Sequence, residues 1–153
     1  MLLIFGLWWW YFEHPSEEGL RMSRNLAFLW GYAHYAVFAS VAALGAGLEV
    51  AVESTRGTGV SATTAGGTVA IAVSVYVLVT ASVQAKLTPA SVLQMRYIVP
   101  VVALVLVVGL RARSLTVGFA LPTMGLIVVG LVVLDRLAPG LHRPTGDEPG
   151  QGA

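Results

Sequence analysis

The chain has 153 residues, of which 56% are hydrophobic and 11% charged, with a formal net charge of +1 and no cysteine. Ordinary soluble domains carry about 25% charged residues, so most of this chain has too little polar surface to meet water. The near-neutral balance, with no basic cluster interleaved with aromatics, argues against a nucleic-acid partner, and the lack of cysteine excludes disulfides, thiolate metal sites and a thiol nucleophile.

These limits predict an all-α polytopic membrane protein with about four full transmembrane helices and one partial N-terminal helix. The first element, residues 1–12, is apolar but about 18 Å long as a helix, too short to span unaided. It lacks the basic opening and cleavage site of a signal peptide. It ends in Trp8, Trp9, Trp10 and Tyr11, residues of the kind that sit at headgroup level, so it reads as the second half of a spanning helix in a chain that is part of something longer. Pro15 and the polar run after it stop the apolar pattern.

The second helix is expected at 29–53 and is the longest apolar run, yet it holds His34 near one end and Glu49 and Glu53 near the other. A charge at mid-bilayer costs about 2.5–3.5 kcal/mol, less toward the ends, so such groups face a protein interior or a wet cavity. The Ser/Thr/Gly segment 54–67 reads as a loop. The third helix is placed at 66–86, where Val, Thr and Ser would favour a strand in water, but lipid leaves the backbone no partner except its own. The fourth runs 97–110 with Pro100 in its first turn. The fifth runs 115–135 with Pro122 inside it, a residue that kinks a helix or frees a carbonyl. Residues 1–138 form the helical domain. The tail at 139–153, rich in Pro and Gly, is expected to be disordered.

Alternating these helices across a bilayer puts Arg21, Arg24, Lys86, Arg96, Arg136 and Arg143 on one side and Arg56, Arg111 and Arg113 on the other. The richer side is expected to be cytoplasmic, with the C-terminus there, in a bacterial inner membrane. Glu13, His34, Gln84 and Arg96 then fall at one level and are the candidates for a proton relay or an anion site, His34 because its reference pKa is about 6.5. The bland alternative is an interfacial cluster that fixes helix ends.

His34, Phe38, Gly45 and Glu49 share a narrow sector of their helix and are expected to face one interior, although His34 and Glu49 stand about 22 Å apart along the axis. Glu49 has no Lys or Arg within its own turn, whereas Glu53 is expected either to be solvated or to pair with Arg56. Small residues, among them Ala42, Gly45 and Gly47 and then Gly118, Gly125 and Gly130, permit close helix packing. Pro122, Thr123 and Gly125 also allow a broken helix lining a cavity. No metal-hydrolase, nucleophile-elbow or phosphate-loop pattern occurs, so no enzyme activity, cofactor or metal is expected.

Three stretches carry a resemblance: Trp8-Trp9-Trp10-Tyr11-Phe12-Glu13, Trp30-Gly31-Tyr32-Ala33-His34 and Gly45-Ala46-Gly47-Leu48-Glu49. Together they resemble the bacterial low temperature requirement protein A family, whose members look like multi-helix membrane proteins of more than twice this length. The specific match is to residues 8–49, and the likeness implies that only the C-terminal half is represented, with Glu13 standing where the family more often has Asp. It raises the weight on Glu13, His34 and Glu49 and names a class without a reaction. The function expected is a solute or ion permeation module with a polar path lined by Glu13, His34 and Glu49. The competing expectation is a non-catalytic structural or assembly protein in which these residues pair between helices. The bilayer is the expected partner, together with a second copy or a separately encoded N-terminal half.

Overall fold

The computed structural model describes residues 1–12, 24–57, 59–87 and 92–137, with the backbone alone at 24–27, 87 and 92–96. Six helices follow one another: α1 (Leu2–Phe12), α2 (Arg24–Thr55), α3 (Ala62–Leu87), α4 (Val92–Leu110), the short α5 (Ala112–Leu115) and α6 (Val117–Leu137). No strand occurs among the described residues. Glu13, His14, Pro15 and the tail at 139–153 lie outside them.

Three helices, Phe28–Thr55, Ala62–Lys86 and Val117–Leu137, are long and apolar enough to cross a bilayer. The helix expected as the fourth span is Val92–Leu110, and its apolar stretch among the described residues is Tyr97–Leu110. The helix itself begins earlier, at Val92, so Pro100 lies well inside it rather than in its first turn.

Two other boundaries move for identifiable reasons. Helix α3 starts at Ala62, within the segment read as loop, because Ser61 caps it: its Oγ accepts from the Thr64 backbone N–H at 3.0 Å and meets the Thr64 hydroxyl at 2.7 Å. The last helix is preceded by a separate turn, α5. Thr116, at φ +57°, breaks the chain between them. Through Pro122 the helix stays continuous, and the Thr123 hydroxyl donates to the Phe119 carbonyl at 2.7 Å.

Glycines set how the helices pair. A Cβ on Gly47 would lie 3.2 Å from the Val69 backbone N, which places α2 antiparallel to the start of α3. Gly66 and Gly109 approach most closely: a Cβ on Gly66 would reach the Gly109 carbonyl at 2.6 Å, and one on Gly109 the Gly66 carbonyl at 2.7 Å. Only backbone without side chain fits between α3 and α4 there. Gly125 meets the backbone of Leu3, and Gly6 meets Val128, so α1 and α6 run parallel. The core lies between α1, α3, α4 and α6, around Trp10, Val73, Val105, Met124 and Val128. Helix α2 packs almost wholly against α3.

Candidate functional site

The end of the bundle where α1 and α6 finish and α2 begins holds an aromatic and polar cluster. Consecutive positions on a helix point about 100° apart, and three consecutive residues of α1 thereby reach three different helices. Trp9 lies under the Arg136 guanidinium of α6 at 4.9 Å from the ring centre, a cation–π contact. Trp10 is fully buried, and its Nε1–H donates to Thr80 Oγ1 of α3 at 3.2 Å. Tyr11 meets His34 Nε2 of α2 at 2.6 Å.

His34 is half-buried, and both of its ring nitrogens are engaged. Nδ1 lies 2.7 Å from the Trp30 carbonyl. A carbonyl can only accept, so Nδ1 carries the proton, and in the neutral ring Nε2 is left to accept from the Tyr11 hydroxyl. On protonation Nε2 becomes a donor, and the Tyr11 oxygen can accept in turn. The link between α1 and α2 therefore survives a change of charge while its direction reverses. Trp30, Phe38 and Tyr11 surround the imidazole at ring-centre separations of 4.0, 5.9 and 6.0 Å.

Beneath it, Thr80 returns its hydroxyl to the Tyr76 carbonyl at 2.8 Å, and the Tyr76 hydroxyl donates to the Leu7 carbonyl at 3.1 Å. These bonds tie α1 to α3 in a region where water is not available as a substitute. Gln84, one turn beyond Thr80 on the same face, is buried. Elsewhere on α3 the Ser74 hydroxyl is buried without a hydrogen-bond partner among the described residues.

Of the residues expected to line a path, His34 and Gln84 thus lie at the same end of the bundle. Glu13 lies outside the described residues, and only the backbone of Arg96 is described. Glu49 is at the far end of α2 and is exposed, as are Phe38 and Gly45. These three face away from the chain's own core, whereas His34 turns toward Tyr11 of α1. Glu49 makes no hydrogen bond or ion pair with the described residues. Glu53 pairs with Arg56 at 2.8 Å, as its spacing allows.

The sequence singles out neither Tyr76 nor Thr80, and the expectation that Trp10 sits at headgroup level is corrected by its full burial. Trp8, at 56% exposed, and Phe12, at 64%, suit an interfacial aromatic belt, whereas Trp10 belongs to the core. The signal was present as the spacing Leu3, Leu7, Trp10, one buried stripe at helical period. Gly66 and Gly109 were also missed, although Gly66 and Ala70 form a small-x-x-x-small pair.

Comparison with curated proteins and with solved structures gives no match. The family model described as bacterial low temperature requirement A protein (LtrA) matches residues 1–134, a stretch that includes the Trp8–Tyr11 segment, His34 and Glu49. With most of its length covered by that match, the chain belongs to the bacterial low temperature requirement A family.

Proposed function

We propose that this chain is a solute or ion permeation module of the bacterial inner membrane, with its C-terminus cytoplasmic, which moves its solute without chemical change. The path runs along the outward face of α2 between the end that holds His34 and Glu49, and Glu13 is its remaining candidate from the sequence. The observation that carries this reading is Glu49: a carboxylate on the exposed face of an apolar helix, without a partner among the described residues. Such a group is costly against lipid and is retained where water or a counter-charge reaches it. At the other end of α2, His34 holds a hydrogen bond to Tyr11 whose direction depends on its charge.

The test uses the full chain in liposomes that enclose a pH-sensitive dye, with a proton gradient imposed across the bilayer. His34→Ala and Glu49→Gln are each expected to lower the rate of proton entry in protein that keeps its helical circular dichroism. Unchanged rates in both variants overturn the reading.

A second reading rests on a different observation. Both nitrogens of His34 are occupied within the chain by Tyr11 and Trp30, which suits a lock between helices in a structural or assembly protein. Under that reading His34→Ala loses fold stability, and neither variant changes flux.

A further inference from the structure

We infer that a second copy of this chain, in the same orientation in the bilayer, covers the outward face of α2 and sets its Arg111 and Arg113 against Glu49. This rests on the proposed path along that face, for which one chain supplies only one wall.

The first observation is depth. Gly47 of α2 meets Thr68 and Val69 of the antiparallel α3, so Glu49, two residues further on, stands level with about Gly66. Gly66 in turn meets Gly109 and Ala112. Glu49, Arg111 and Arg113 therefore lie within about one helical turn of a common depth. Within one chain they do not meet: α2 packs on α3 through Gly47 against Thr68 and Val69, and α4 through Gly109 against Gly66 and Ala70. All three are exposed, and none has a side-chain partner among the described residues. Copies inserted the same way share their depths automatically, so an acidic group on one flank and basic groups on the other are brought level by the bilayer itself.

The second observation is the pattern of the two flanks. On α2 the exposed positions Tyr35, Phe38, Ala42, Gly45, Glu49 and Val52 alternate in steps of three and four and form one stripe along the helix. On α4, Val99, Leu104, Val107 and Leu110 are 50–62% exposed. Both helices run antiparallel to α3, so α2 of one copy and α4 of the next lie parallel, with apolar residues in the middle and opposite charges at one end. The contact joins two different faces and is heterologous, so it closes as a ring or extends as a row.

The experiment labels the full chain separately with donor and acceptor dyes and reads energy transfer in liposomes across a series of protein-to-lipid ratios. Wild-type copies are expected to associate. Glu49→Gln, and Arg111→Gln with Arg113→Gln, each weaken association by roughly tenfold or more, and combining them adds little further. Glu49→Lys copies mixed with copies carrying Arg111→Glu and Arg113→Glu regain transfer, an outcome that a folding defect cannot produce. Monomers at every ratio, or association indifferent to these charges, overturn the inference. Charge-dependent association with no proton flux defeats the permeation reading and leaves the assembly standing. Flux retained in liposomes that hold single copies does the reverse.

Discussion

Where α1 ends, the helices are tied through side chains, Tyr11 to His34 and Trp10 to Thr80, whereas at the opposite end α3 and α4 meet through bare backbone at Gly66 and Gly109. The first region turns its polar groups inward and satisfies them between helices. The second packs glycine inward and leaves Glu49, Arg111 and Arg113 facing out. Apolar helices gain little from excluding lipid, because lipid tails are as apolar as leucine, so association rests on packing and on polar bonds. Each end uses one of these means, and among the described residues the glycine-packed end leaves charges of both signs, Glu49 with Arg111 and Arg113, facing outward.

The contrast is sharpest at Trp10. Trp10→Ala removes a fully buried ring and the Thr80 bond together, and is expected to cost about 3–5 kcal/mol, measured by reversible unfolding in a membrane mimetic. Trp10→Phe keeps most of the volume and is expected to lose only the bond, about 0.6 kcal/mol on average for such pairs in bilayers. If the two variants lose equally, the hydrogen bond rather than the packing holds this end.

Next is the glycine contact. Gly66→Ala places a methyl group against the Gly109 carbonyl and Ala112, with an expected cost of about 1–3 kcal/mol as α3 and α4 are forced apart. Gly45→Ala, where open space surrounds the position, serves as the control and is expected to gain or lose under about 1 kcal/mol. A smaller effect comes from Tyr11→Phe, which removes the bond to His34 and is expected to cost about 1 kcal/mol. Glu53→Gln should do least. Its pair with Arg56 is solvent-facing, and such pairs contribute about 0.2–0.5 kcal/mol.

The difference between the two ends also explains what the sequence made legible. Long apolar runs gave α2 and α3 to within a few residues, because in lipid the helix is the one conformation that satisfies its own backbone. The start of α3 was hidden because Ser61, Ala62, Thr63 and Thr64 have loop-like composition, while the cap that makes them helical is a single hydroxyl. The pairing of Glu53 with Arg56 was readable because it is local, three residues apart. The bonds at His34 were not, since Tyr11 lies 23 residues away on a helix whose rotation composition does not report. The sector holding Phe38, Gly45 and Glu49 was also readable, but its direction was not: periodicity tells which residues share a face and is silent on whether that face meets the core or looks outward.

The lack of native cysteine makes that direction directly measurable. Single cysteines at Phe38, Gly45 and Val52, with controls at the buried Val37 and Leu44, can be challenged in liposomes with a membrane-impermeant thiol reagent. Phe38→Cys and Gly45→Cys are expected to react, as residues bordering a hydrated path do, while the buried controls remain unlabelled. No reaction at Phe38→Cys and Gly45→Cys would mean that the outward face of α2 meets lipid or a dry partner, and the permeation path along it would be contradicted.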